Sequence, residues 1–300
     1  MTSRERFIRT FNGQMTDRVP VTLFMSDQGH FLSQVYPELD SRDYIKCQLK
    51  VVELQKQLGC DVFVRLLNGT IEPVHIIYGG VDVTRQTENW EVKTEDIRNG
   101  DTLIKKSIIR TPDGTLTQEF SFNEIRKGTL MFACTKPPIE KEADLDICIK
   151  YEPRVTDEWK ARVKKDIEIV KEAVGDDGVV GTWSPHGPFN TGSLLIKLDE
   201  LYQLFLSDPP YFDKLMNFCI ERTVGYTKAI DEAGVDVHHI GANVAGGFIG
   251  KKFFDEYILP YEKKYMDIVQ ENGTPGMYHN CGEIMNLLES YKNVGVKIVE

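Results

Sequence analysis

The spacing of apolar positions changes repeatedly along this chain, and each change marks an element. Continuous or alternating apolar runs predict strands at 19–25 (VPVTLFM), 61–67 (DVFVRLL), 178–183 (GVVGTW), 235–240 (VDVHHI), 274–279 and 295–300 (GVKIVE). Three-to-four spacing predicts helices over 43–59, 157–174, 197–206, 210–233, 251–272 and 283–293, with Gly59 as a stop for the first of them. The opening, MTSRERFIRTFNG, reads as a short amphipathic helix. Residues 72–124 differ in character. They are rich in Val, Ile and Thr, with turn signals at Gly79-Gly80 and Pro112-Asp113-Gly114, so antiparallel strands and hairpins are expected there.

Repeated strand–helix units predict an α/β protein, a parallel sheet with helices outside it. An open doubly wound sheet is one such arrangement, and a (β/α)8 TIM barrel is the other. The barrel is favoured because polar groups collect where strands end: His238, His239, His279, Cys281 and Glu300. Barrel active sites are built on that rim. No GxGxxG follows the first strand, which weakens a dinucleotide fold. The expectation is one barrel domain over residues 1–300 with a β-rich insertion at 72–124. Its last predicted element is a strand with no helix after it, so the final βα elements are expected to be missing.

Composition narrows the partners. The 300 residues carry 36 basic and 46 acidic side chains, a formal net charge of −10, which argues against nucleic acid or an anionic membrane as the main partner. No apolar run approaches the roughly 18 residues of a membrane span, and the N-terminus has no signal-peptide core. The six cysteines are scattered without a CxxC pair, which fits reduced thiols in a cytoplasmic protein.

Four constellations offer chemistry. In YHNCG, His279 and Cys281 lie two apart, and in extended backbone such residues point to the same side. An imidazole and a thiolate together suit one soft metal ion, zinc above all. Gly282 permits a close turn, and the next strand ends in Glu300, a further ligand. The bland alternative is a backbone-bonded histidine beside an inert thiol. His238-His239 form the second group. Neighbours in a strand face opposite sides, so one points into the barrel mouth and the other packs against helices. The third is the loop WSPHGPF, where Gly and Pro shape the chain around His186; it reads either as a substrate loop or as a plain turn. The fourth follows the first strand: Asp27 and His30 read as an acid/base pair, or as caps of the next helix.

These residues bear a resemblance. The chain resembles the uroporphyrinogen decarboxylase superfamily, and within it the corrinoid-dependent methyltransferases, over essentially its whole length. The opening RERFIRTFNGQMTDRVPV, with Asp17-Arg18-Val19-Pro20 most distinctive, is similar to the family's start. TPDGTLTQEF resembles a hairpin of the methyltransferase branch, FIGKKFFDEYILPYEKKYMDIV its long helix, and YHNCG its HxCG zinc motif. The decarboxylase itself has MRQAGRY after the first strand. Here Ser26 and His30 replace both arginines, which argues against a polycarboxylate tetrapyrrole substrate.

The resemblance implies Zn2+ held by His279 and Cys281, with Glu300 at an acidic ligand position and a later cysteine lying beyond residue 300. It implies zinc as a Lewis acid toward a thiol or a methyl donor, and a corrinoid (cobalamin) presented by a partner corrinoid protein. The methyl group would pass between that corrinoid and a small thiol, folate or methylated substrate. His239 joins Asp27 and His30 as catalytic candidates; His186, His238 and Asn243 are expected contacts for corrinoid or substrate. Two other readings stand beside this one: a metal-free lyase on the same barrel using Asp27 and His30, and a non-catalytic binder of a corrinoid protein.

Overall fold

The computed structural model describes every residue except 25–27, 41–42, 68–79, 101, 127–128 and 247–248, and the backbone only of 28–30, 33, 67, 124–126 and 129–132. Helix α1 (Ser3–Phe11) opens the chain, with the Thr2 hydroxyl accepting from the Glu5 N–H as its cap. Its apolar face lays Phe7 and Phe11 on Phe63. Helix α2 (Gln28–Val35) is followed by α3 (Tyr44–Gln57), capped by Asp43. Gly59, at φ 70°, closes that helix in a conformation glycine adopts without penalty. Strand β1 is Val62–Leu67.

A four-stranded antiparallel sheet comes next, in chain order: β2 (Glu91–Asn99), β3 (Thr102–Thr111), β4 (Gly114–Arg126) and β5 (Thr129–Lys136). Pro112-Asp113 makes the expected hairpin, with Thr111 opposite Gly114. Trp90, Ile109 and Leu116 are buried beneath this sheet. The β-rich region is therefore displaced from 72–124: the ladder runs from Glu91 to Lys136, because β4 pairs on both sides. Gly79 lies outside the described residues.

The remaining elements alternate: α4 (Glu142–Tyr151), α5 (Asp157–Val174), β6 (Gly178–Ser184), α6 (Pro188–Gly192), α7 (Leu198–Ser207), α8 (Pro209–Glu232) and β7 (Val237–Gly241). Then α9 (Lys251–Phe253) runs through a π turn (Phe254–Ile258) into α10 (Leu259–Val269). Strand β8 (Gly276–His279), α11 (Leu288–Val294) and β9 (Ile298–Val299) complete the order. The second sheet is parallel, ordered β1-β6-β7-β8-β9. Alternation divides its side chains: Val179, Val237 and Met277 join Phe7 and Phe63 on one face, while Val62, Val64 and Val180 pack with Val163, Ile167 and Val170 of α5 on the other. The register sets Leu67 beside Trp183, Trp183 beside His239, and Gly241 beside His279, so the strands' carboxyl ends form one rim.

Two further expectations are corrected. Residues 19–24 match a strand in pattern but form no ladder among the described residues. One backbone bond, Asp61 N–H to Val21 C=O, ties them down, and Val19, Val21, Leu23 and Phe24 are exposed; a strand exists only with a partner row beside it. Of the six strands predicted for the barrel, the other five pair in parallel among the described residues. The helix expected over 251–272 is broken by the π turn. Pro260 has no N–H to return to residue 256, and the widened turn keeps Phe254 and Ile258 buried, so the apolar pattern runs on unbroken. Among the described residues no helix is long and apolar enough to cross a membrane, and all six cysteines are free thiols.

Candidate metal centre

The two histidines of β7 separate as neighbours in a strand must. His238 turns toward the helices, fully buried, with Nδ1 2.8 Å from Ser184 Oγ and Nε2 3.4 Å from Asp231 Oδ1. His239 turns to the other face. Its ring lies on Trp183, centroids 3.7 Å apart, and meets His279 edge-on at 5.2 Å. Glu300, just past β9, reaches both: its Oε2 is 2.9 Å from His239 Nε2 and 3.0 Å from His279 Nδ1. Arg65 of β1 closes the far side, donating from Nη1 at 2.9 Å and from Nη2 at 2.5 Å in a bidentate grip. On the opposite edge of the His279 ring, Nε2 is 3.1 Å from Cys281 Sγ.

Charge follows from these contacts. Burial alone would push the Glu300 carboxyl up. The contacts with His239, His279 and Arg65 outweigh it and hold the group far below the usual carboxylate range. Burial pushes His239 down to about 4 against the pull of Glu300, so the imidazole is neutral at pH 7. A neutral imidazole is the ligand form. The 2.9 Å approach to Glu300 is not aligned as a hydrogen bond, and both ring nitrogens of His239 are buried without a hydrogen-bond partner among the described residues. An orphaned buried imidazole of that kind asks for an explanation.

The donors fit a metal in two ways. One atom each from His239, His279 and Glu300 lie within 4.8 Å of one another. Alternatively, His279 Nε2 and Cys281 Sγ form a close N/S pair, while Glu300 on Nδ1 orients the ring, as carboxylates do behind metal-bound histidines. Glu300 and Cys281 use opposite nitrogens of His279, so the ring as it stands does not present both to one ion.

His186 is buried in the loop after β6, its ring against Gly241, and burial pushes its imidazole down to about 4. Asn243 is exposed in the turn after β7 and makes none of the contacts above. Asp27 lies outside the described residues, and of His30 only the backbone, in α2, is described. Sequence reasoning missed Arg65 and Trp183. The signal for Arg65 was present: a lone guanidinium inside the apolar run DVFVRLL needs an anionic partner.

A parallel sheet whose carboxyl-end rim gathers imidazole, thiol and carboxylate defines a class, and sequence comparison places it: the chain belongs to the uroporphyrinogen decarboxylase family, whose model matches residues 101–300. Among its relatives, the chain is similar to the methylcobamide:CoM methyltransferase MtbA of Methanosarcina mazei, 23% identical over 310 residues that span 99% of this chain and 75% of that protein. The protein of the same name from Methanosarcina acetivorans is 23% identical over 303 residues, 98% of this chain and 74% of its own length. A solved structure of a methyltransferase from Methanosarcina mazei superposes with a TM-score of 0.65 at 17% identity, covering 100% of this chain and 75% of that one. The shared fold is TIM-barrel-like.

Proposed function

We propose that this chain moves a methyl group between a corrinoid, carried by a partner protein, and a small thiol, folate or methylated substrate, with zinc held at YHNCG. One observation carries the reading: the His279 Nε2 and Cys281 Sγ pair at the end of β8, backed by Glu300 on the ring's other nitrogen. The similarity to methylcobamide:CoM methyltransferases along nearly the whole chain supports it.

Zinc in this position supplies Lewis acidity that favours the thiolate form of a bound thiol at neutral pH. The chain's own residues do the rest. Glu300 fixes the His279 ring, and Arg65 fixes Glu300. His239, neutral at pH 7, does not store the thiol proton; stacked on Trp183, it walls the site and excludes water. His238, bonded to Ser184 and Asp231, sets the register of β7 rather than touching substrate. Asn243, exposed on the same rim, is offered to the corrinoid protein.

Zinc per chain on the purified protein and on Cys281→Ala tests the site. About one zinc in the parent and none in the variant is expected. Methyl transfer from a methylated corrinoid protein to a thiol is then expected in the parent alone. Zinc without transfer favours the silent binder of a corrinoid protein, and absence of zinc from both proteins leaves that binder or the metal-free lyase built on Asp27 and His30. A second reading takes Glu300 as a direct ligand with His239 and His279, favoured by their mutual approach within 4.8 Å. Glu300→Gln separates the two. Loss of about 100-fold or less in zinc affinity marks an orienting carboxylate, and near-complete loss marks a ligand.

A further inference from the structure

We propose that Glu262 is a positioning residue that sets His186 into the wall of the metal centre. Glu262 is an acid on α10 with almost no exposure, and the reading above gives it no part. Its Oε1 accepts the Phe189 N–H at 3.1 Å. One turn further along the same helix, the Tyr265 hydroxyl donates to the Pro185 carbonyl at 2.9 Å. Helix α10 therefore grips the loop on both sides of His186. The loop is also tied to β7, since the Gly187 N–H donates to the Gly241 carbonyl at 3.1 Å.

Two glycines show how closely the parts fit. Gly187 has φ −54° and ψ 153°, a conformation open to any residue, so its backbone does not call for glycine. A Cβ there would overlap the Glu262 carboxylate. A Cβ on Gly241 would overlap the His186 ring in the same way. Carboxylate, loop, imidazole and strand are thus stacked in contact, and Gly241 is paired with His279. The imidazole of His186 therefore packs on the residue that pairs with the candidate ligand His279. The π turn immediately before α10 gives this helix its own rotational phase, which sets where Glu262 points. Burial raises the Glu262 carboxyl to about 7, so the group carries no obligatory charge in this apolar setting.

The inference rests on the methyl-transfer reading only for why the placement matters; its test reads position alone. The rate of carbethoxylation by diethyl pyrocarbonate is measured residue by residue with mass spectrometry on the whole chain, with thermal melting alongside. In Glu262→Ala, His186 is expected to react about tenfold faster or more, the effect of a local opening of modest free energy. Glu262→Gln keeps an acceptor for Phe189 and is expected to restore the parent rate. Gly187→Ala expels the carboxylate by bulk and is expected to match Glu262→Ala, which keeps the test intact if the latter fails to fold. His238, equally buried but held by Ser184 and Asp231, is expected to stay slow throughout. An unchanged His186 rate in both variants, or a His238 rate that rises in step with it, overturns the proposal.

Discussion

Two carboxylates, Asp61 and Glu300, lie near opposite ends of β1, and each is gripped by arginine. Asp61 precedes the strand and has no solvent exposure. Arg6 and Arg18 both pair with it, Arg18 at 2.5 and 3.0 Å, and the Val21 N–H donates at 2.7 Å. Every acceptor direction is taken by a permanent donor. Glu300 has one arginine, Arg65, and beyond it two histidines, one of them neutral and with both nitrogens orphaned. A carboxylate whose acceptors are all taken holds a fold together, whereas one bordered by buried, unpartnered ring nitrogens is where the proposed metal would sit. In barrels the amino-end face carries stability and the carboxyl-end face carries chemistry.

The largest expected effect sets the two ends apart in stability. Asp61→Ala takes its carboxylate from Arg18 and one of two from Arg6, which keeps Asp17, and is expected to lose on the order of 3 kcal/mol. Glu300→Ala, at a rim position with its side chain 31% exposed, is expected to lose less than about 1 kcal/mol. Urea unfolding of the two variants measures both. Equal losses would make Glu300 a structural brace and remove the contrast.

Metal affinity is expected to reverse the order. Competition with a chromophoric chelator should show zinc binding weakened about 10- to 100-fold in Glu300→Ala, the usual effect of removing an orienting carboxylate. Asp61→Asn should bind as the parent does. Weakening by Asp61→Asn would mean that the two ends of β1 are coupled.

A smaller effect lies in pH. For Asp61, burial pushes the carboxyl up, but bonds from Arg18, Ser3 and the Val21 N–H and the charge of Arg6 win, leaving it at about 2. Its folded pKa is below its free value of about 3.9, so its stabilisation is complete above pH 4 and is lost as pH falls through about 2. His239 is a base depressed by burial to about 4 from a free value near 6.5. It must stay neutral to fold, so stability in metal-free protein declines as pH drops from about 6.5 toward 4. The two ends therefore titrate in different windows. Urea midpoints against pH should lose the lower slope in Asp61→Asn and part of the upper slope in His239→Asn; His186 adds to that upper slope, and Glu262, raised to about 7, opposes it.

The sequence disclosed more of the frame than of the site, for physical reasons. Asp157–Val174, β6 and the His238/His239 split followed from periodicity alone, since 3.6- and 2-residue repeats report burial directly. The π turn did not, because it conserves the buried face while changing the phase. Residues 19–24 read as a strand because pattern records burial and not partners. At the site, His279, Cys281 and Glu300 came from spacing and strand order. Arg65 and Glu262 come from β1 and α10, distant in sequence, and only the folded chain reveals what they hold.

The smallest effect is optical and tests the comparison at the rim alone. The three tryptophans sit in different surroundings. Trp90 is fully buried beneath the antiparallel sheet, and Trp159 meets Tyr226 edge-on at 4.9 Å. Only Trp183 touches the site, 3.7 Å from the His239 ring and 5.8 Å from that of His279. A cation bound by these imidazoles withdraws charge from rings in direct contact with the indole, so zinc titration should change a fraction of the emission and saturate with binding. Trp183→Phe should abolish the change while leaving affinity intact, since the indole donates no ligand atom. Asp61→Asn should preserve it in full, because that carboxylate belongs to the other end of the sheet. A change that survives Trp183→Phe would place the metal near Trp90 or Trp159 and away from the rim.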